Sequence, residues 1–401
     1  MKILITSHLF PNRACPMGGS FVWEQVRFLQ KWETMEVIAP VPWFPRVRGF
    51  GRWGRFRDIP QRERIDGISV YHPRYITFPK KWLFSWVGFF YSWMLFRNAR
   101  KLDFDLVHAH VAYPDGFGAV LFGRIVGVPV LITAHGSEIH SYTKRSRLWK
   151  ALTAWALCRA DRTIAVSRSL KEEIVALGVD SSKVSVIHNG VDTQCFRPLL
   201  EVEAGIGQEK RAKRILYLGR LLHTKGIGVL LEAMSLLLER GVSCELVLVG
   251  ANAKQSEDRS FFSMAECLGR RDVVHFEETV PHAEIPRWLA TADVFVLPSF
   301  SEGFPLSVIE ALACGKPVVS TRCGGPEESV SEEVGILVPP GDSQALADAI
   351  GYILRHPETY DADRIRAYAC RRFSLEAQCK RIARLYVSLK QNKRKRTAEP
   401  V

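Results

Sequence analysis

Ser299-Phe300-Ser301-Glu302-Gly303-Phe304-Pro305-Leu306-Ser307-Val308-Ile309-Glu310-Ala311 directly follows the apolar run 294–297 and Pro298. Such a run reads as a buried strand. Pro305 at a first helical position, with Gly315 as the stop, predicts a short helix starting just after Gly303 and Phe304. A strand passing through a glycine loop into a helix is the repeating unit of a parallel α/β sheet. The N–H groups at such a helix start attract phosphate or another electron-rich ligand group, because free donors and the macrodipole point the same way. Glu302 and Glu310 stand too far apart for a close carboxylate pair, about 12 Å by helical rise. One lies in the loop and the other on the helix wall, so they can accept hydrogen bonds from two sets of hydroxyls, as a sugar and a ribose present. Taken alone, two acids at this spacing read as surface groups flanking a helix. The small, apolar company of Gly303, Phe304, Pro305, Ala311 and Ala313 opposes that.

Outward from this stretch the same alternation recurs. Apolar runs at 3–6, 37–41, 68–71, 106–109, 128–133, 163–166 and 184–187 form one series, and those at 215–218, 246–249, 273–276, 294–297, 318–320 and 336–338 form another. Continuous apolar strands between helices predict parallel sheets covered on both faces, hence two Rossmann-like, doubly wound α/β domains facing across a cleft. The expected boundaries are a first domain over 1–193, a linker over 194–212, a second domain over 213–373, a terminal helix over 374–392 and a solvated basic tail over 393–401. That helix would bury Leu375, Ile382, Leu385, Tyr386 and Leu389 and return to the first domain. A chain of 401 residues, 47% hydrophobic and 24% charged, suits two such cores and excludes disordered, collagenous and disulfide-stapled classes. Nine cysteines without a CxxC pair suggest neither a zinc site nor a disulfide framework. The first apolar run is too brief for a signal peptide, so a cytoplasmic location is expected.

A second constellation, Leu218-Gly219-Arg220-Leu221-Leu222-His223-Thr224-Lys225-Gly226, follows the first strand of the second series. Two cations in a glycine-bracketed loop can converge on a diphosphate, although a solvated loop with incidental charges reads as well. No GxxxxGK[ST] or GxGxxG pattern occurs there, which removes support from ATPase and dinucleotide readings. In the first series, Gly18 and Gly19 allow a backbone to approach a ligand or merely make a tight turn. They precede a helix expected to bury Phe21, Val22, Phe28, Leu29 and Trp32. His135 ends a buried strand, so its imidazole is expected to point into the cleft, although a lone histidine is more often structural. His108 and His110 share one strand face without a third ligand at suitable spacing, so no metal site is expected.

The chain resembles glycosyltransferase family 4, the retaining nucleotide-sugar transferases of the GT-B fold, over nearly its whole length. The resemblance rests on Gly18 and Gly19, Asp105-Leu106-Val107-His108-Ala109-His110, Thr133-Ala134-His135-Gly136, Ile187-His188-Asn189-Gly190-Val191-Asp192, Gly219-Arg220 with Lys225-Gly226, and the paired glutamates Glu302 and Glu310. It implies a UDP- or GDP-linked sugar donor held mainly by the second domain. Arg220 and Lys225 would hold the diphosphate with the backbone at Gly19, and Glu310 the ribose. Glu302, Gly303, Phe304 and His135 would hold the transferred sugar, His135 and Glu302 acting catalytically. Gly18 and Leu306 would make loop contacts, and 189–192 would lie near the hinge. No metal or other cofactor would be required. Among relatives the chain looks closest to those building bacterial envelope polysaccharides, with a glycan or lipid-linked acceptor.

Charge is uneven: residues 1–200 hold 28 Lys and Arg against 15 Asp and Glu, whereas 201–401 hold 27 of each. Arg46, Arg48, Arg52, Arg55, Arg57, Arg62 and Arg64 are interleaved with Trp43, Phe44, Phe50, Trp53 and Phe56. An uncharged aromatic run over 82–96 follows, flanked by Lys80, Lys81, Arg97 and Arg100. As a helix the run spans about 22 Å, short of the ~30 Å hydrocarbon core. It suits peripheral docking on an anionic membrane face, or equally a buried helix beside a solvated loop. A nucleotide-sugar epimerase of the same architecture is the alternative enzyme. A nucleic-acid-binding protein, suggested by the basic balance, leaves both glutamates and the glycine loops unexplained, and no nucleic-acid partner is expected.

Overall fold

The computed structural model describes residues 1–16, 18–43, 51–76, 84–136, 138–199, 212–251 and 256–398. They divide into two compact units, Met1–His188 with Glu376–Val401, and Asn189–Leu375. The first contains β1 (Lys2–Thr6), β2 (Thr34–Ile38), β3 (Val41–Pro42), β4 (Arg62–Ile65), β5 (Ile68–Tyr71), β6 (Arg74–Tyr75), β7 (Leu106–His110), β8 (Val130–Ala134), β9 (Arg162–Ala165) and β10 (Val184–Val186). Its main sheet runs β10-β9-β8-β7-β1-β2-β5-β4, while β3 pairs with β6. All neighbours in the main sheet are parallel except β4 on β5. The sequence Arg62-Glu63-Arg64-Ile65 carries no apolar run because this is an edge strand with alternating exposure, a position where charge discourages further pairing.

The second unit holds β11 (Lys213–Leu218), β12 (Cys244–Ala251), β13 (Val274–Glu278), β14 (Val294–Leu297), β15 (Val318–Thr321) and β16 (Gly335–Val338). They form a wholly parallel sheet, β13-β12-β11-β14-β15-β16. Both units are therefore doubly wound α/β sheets. Strands such as β7, β8 and β14 are buried along their whole length, as their unbroken apolar runs require.

Residues 189–193, expected in the first domain, belong with the second unit. The Val191 N–H donates to the Phe373 carbonyl (2.8 Å), and the Val191 carbonyl accepts from the Leu375 N–H (2.9 Å). The Arg366 guanidinium donates to the carbonyls of Thr193, Phe196 and Ala313. Of the expected linker, residues 200–211 lie outside the described residues.

The terminal helix, Leu375–Ala398, buries Leu375, Cys379, Ile382, Tyr386 and Leu389, while Leu385 is half-buried. It continues through Lys393, where a separate tail was expected. In the helix Ser20–Leu29 the buried residues are Val22, Gln25, Val26 and Leu29; Phe21 and Phe28 are half-buried, and Trp32 lies beyond the helix end and is exposed.

Candidate functional site

In the second unit β11 and β14 lie side by side where the strand order reverses, the switch point at which doubly wound sheets bind ligands. The loops leaving these two strands hold both second-unit constellations and are tied together by three contacts. Gly226, with φ +71°, brings its Cα against the Pro298 carbonyl, where a side chain could not fit. The Phe300 N–H donates to the Thr224 carbonyl (3.0 Å). Lys225 Nζ lies 2.6 Å from Glu302 Oε1, in a pair whose side chains are only 25% and 12% exposed.

Glu302 is fixed from every side. Its Oε1 also accepts from Ser299 Oγ (2.7 Å), its N–H donates to the Cys323 carbonyl (3.3 Å), and its carbonyl accepts from the Gly325 N–H (3.0 Å). Beneath it the phenol of Tyr217 donates to the Arg220 carbonyl (2.9 Å); burial, then the charge of Glu302, push its pKa well up, so it stays a donor. The Arg220 side chain is exposed and makes no ion pair among the described residues. Lys225 thus meets a carboxylate, and Arg220 is the cation of this loop that projects into solvent.

The helix Leu306–Ala313 begins one residue later than the sequence indicates. Pro305 is the N-cap, its ψ of 118° being extended and not helical, and no side chain caps the helix start. Phe304 is buried with its ring 5.6 Å from that of Phe373, so the Gly303-Phe304 pair offers a ligand its backbone. Leu306 is half-buried at the first helical position. Glu310, buried on the helix wall, accepts from His282 Nε2 at 2.9 Å. Asn189 Nδ2 donates to the Phe304 carbonyl (3.3 Å) and so holds the acidic loop from another segment of the same unit. Neither His282 nor this role of Asn189 was read from the sequence; a histidine just beyond the 273–276 strand run was the available signal for the former.

In the first unit Gly19, with φ +72°, caps the helix Ser20–Leu29 against the backbone of Leu9, and Gly18 leaves no room beside Cys15 Sγ. His135 follows β8. Its N–H donates to the buried Glu138 carboxylate (2.9 Å), and its ring stacks on that of His110 with Nε2 3.1 Å from His110 Nδ1. Burial raises the Glu138 pKa, with backbone N–H donors opposing the rise. The two nitrogens of His108 meet Tyr386 Oη and Thr133 Oγ1, both at 2.7 Å. A further pair has no signal in the sequence: the fully buried Asp115 accepts from the His8 N–H (2.7 Å) and lies 2.5 Å from its Nδ1. These two residues sit on the loops after β1 and β7, the switch point of this sheet.

Burial pushes His108 and His135 each down to about 3 and His110 well below its usual value, with neighbouring imidazoles adding to the effect on His108 and His110. These rings stay neutral in the folded unit and take up protons on unfolding. Their contribution is complete above the unfolded-state value near ~6.5 and is lost progressively as pH falls below it. Urea midpoints are therefore expected to fall between pH ~7 and ~5, more shallowly in His108→Asn than in the parent. An equal slope in that variant would contradict the assignment.

Two doubly wound sheets, with glycine loops and an acidic loop meeting at one switch point, define a GT-B glycosyltransferase. The chain belongs to glycosyltransferase family 4: residues 41–194 match the model of Glycosyltransferase Family 4 and residues 201–370 that of Glycosyl transferases group 1. It is 33% identical over 361 residues to TuaC of Bacillus subtilis, covering 87% of this chain and 88% of that protein, whose name assigns it to teichuronic acid biosynthesis as a glycosyltransferase. It is 30% identical to D-inositol 3-phosphate glycosyltransferase 1 of Catenulispora acidiphila, covering 66% of this chain and 67% of that one. Among solved structures, sucrose-phosphate synthase of Thermosynechococcus elongatus superposes with a TM-score of 0.82 at 23% identity, covering 97% of this chain and 99% of its own. Anabaena HepE, solved in complex with UDP-glucose, superposes at 0.72 and 21% identity, covering 97% of this chain and 100% of its own.

Proposed function

We propose that this glycosyltransferase moves a sugar from a nucleotide-diphospho-sugar, with its anomeric configuration kept, to a hydroxyl of a glycan or lipid-linked acceptor in envelope polysaccharide synthesis at the cytoplasmic face of the membrane. The observation that carries the reading is the Lys225–Glu302 pair at 2.6 Å, set between the two switch-point loops beside the uncapped helix start at Leu306. The name of TuaC supports the acceptor class, and the UDP-glucose in HepE supports the donor class.

In this reading Arg220 and Lys225 neutralise the departing diphosphate, and Gly19 adds backbone N–H contact. Glu310 takes the ribose hydroxyls, exchanging its contact with His282 for them. Glu302, the backbone of Gly303 and Phe304, and His135 hold the transferred sugar, with Gly18 and Leu306 as loop contacts. The anomeric carbon–oxygen bond breaks as the acceptor oxygen bonds on the same face, and the acceptor proton passes to the leaving phosphate. No protein nucleophile, metal or other cofactor is invoked. Fixed cations and helix dipoles suit the charge separation because they need no reorganisation as it develops.

Thermal shift against a panel of UDP- and GDP-sugars identifies the donor, since a ligand at 100 times its Kd adds about 2.7 kcal/mol. Arg220→Ala and Glu310→Ala are each expected to weaken donor binding or kcat/KM at least ~tenfold, the effect of losing one charge-assisted hydrogen bond. Parental values in both would remove the donor-site assignment. Incubating donor without acceptor tests the epimerase alternative, which requires a new nucleotide sugar to appear.

A further inference from the structure

The helix Phe84–Ala99 has two apolar faces. One is core: Val87, Tyr91, Met94 and Leu95 are buried, and Gly88 against Phe117 and Gly118 against Tyr91 let this helix close on the helix Phe117–Val126. The other carries Trp86, Phe89, Phe90, Trp93 and Phe96 in solvent, with Trp86 and Trp93 each 58% exposed. At 100° per residue these side chains fall within one arc of about 120°. An apolar stripe of this kind on a folded surface marks an interaction site.

The surroundings of the stripe are basic. Arg97 lies over the Trp93 ring at 5.5 Å and Arg100 over Phe96 at 5.4 Å. A groove beside the stripe is lined by Arg62, Tyr71, Arg74, Trp93 and Arg97. Arg74 also donates to the carbonyls of Phe56, Arg57 and Ile59, which ties the segment Gly51–Asp58, with Arg55 and Arg57, to this edge. The acids nearby are paired, Glu63 with His72 at 2.7 Å and Asp58 with Arg57 at 3.5 Å. Arg46, Arg48, Lys80, Lys81 and Trp82 lie outside the described residues. Among the described residues no helix is long and apolar enough to cross a membrane.

We propose that this face docks on an anionic phospholipid leaflet, with Trp86, Phe89, Phe90 and Trp93 entering the boundary between headgroups and acyl chains while Arg62, Arg97 and Arg100 meet lipid phosphates. Charge complementarity selects this occupant: in a symmetric pairing of two copies the patch meets itself and sets arginines against arginines. The inference deepens the reading of a lipid-linked acceptor, but its test uses no sugar and stands apart from the donor assignment.

Full-length protein is floated with vesicles of phosphatidylglycerol and phosphatidylcholine, and with pure phosphatidylcholine. Partitioning is expected to be at least ~tenfold stronger on the anionic vesicles and to weaken with salt. Trp86→Ser with Trp93→Ser, and separately Arg97→Glu with Arg100→Glu, should each lower it at least ~tenfold while circular dichroism melts stay unchanged. As a control free of folding effects, brominated lipid should quench parental tryptophan fluorescence, and Trp86→Phe with Trp93→Phe should remove most of that quenching while still floating. Equal partitioning on both vesicle types, variants that float like the parent, or a lipid-free dimer that the serine pair dissolves would each overturn the proposal.

Discussion

Lys225→Ala is expected to lower kcat/KM with the nucleotide-sugar donor about a hundredfold, the largest kinetic effect of any single change in the second unit. Two losses coincide. Glu302 keeps its hydrogen bond from Ser299 but loses the cation 2.6 Å from the same oxygen, while only 12% exposed. Truncating one partner of a partly buried, hydrogen-bonded charge pair costs about 2 to 5 kcal/mol, and the 25% exposure of Lys225 argues for the lower end. The proposed contact to the departing diphosphate goes with it. A loss near 2.7 kcal/mol corresponds to about a hundredfold. If the lysine acts partly by holding Glu302, the double variant Lys225→Ala with Glu302→Gln loses much less than the product of the single effects. Strict additivity would assign the lysine to the donor alone, and activity within about threefold of the parent would take Lys225 out of the site.

That pair also shows where sequence reasoning succeeds. Loops immediately after apolar runs are legible as ligand sites, because in a parallel sheet every strand of one end delivers its loop to one edge. The run 294–297 coincides with β14, and 215–218 is the carboxyl part of β11, so Lys225 and Glu302 are placed near one edge by sequence alone. That they bond each other, leaving Arg220 as the exposed cation, depends on the geometry of two glycine-bracketed loops and has no local signal. Partnerships across long separations are likewise silent: Glu310 with His282, Phe304 with Asn189, and Asp115 with His8 each join segments on different elements. Charged edge strand β4 escaped because hydrophobic periodicity reports burial, and an edge strand has little. The run 82–96 read equally as core or membrane surface because its helix has both a buried and an exposed apolar face, which composition cannot separate.

Gly226→Ala is expected to destabilise the second unit by about 3 to 4 kcal/mol, where Gly241→Ala costs about 1. The two glycines have nearly the same backbone, φ +71° and +75°, so the penalty for placing an L side chain in the left-handed region is common to both. Their surroundings differ. A Cβ at Gly241 meets nothing within 4 Å, whereas at Gly226 it would enter the carbonyl of Pro298, a backbone group that cannot rotate aside. Relief requires the loop after β11 to separate from the loop after β14, straining the Phe300–Thr224 hydrogen bond and the Lys225–Glu302 pair together. Urea unfolding of the two variants side by side measures the difference, and equal losses would show that the loops are not held by this contact. Because Lys225→Ala removes charge without moving backbone, its cost to the ligand-free protein should stay near the lower end for a partly buried charge pair, about 2 kcal/mol, below the cost of Gly226→Ala. Comparable losses in the two variants would mean that the charge pair carries the fold of these loops.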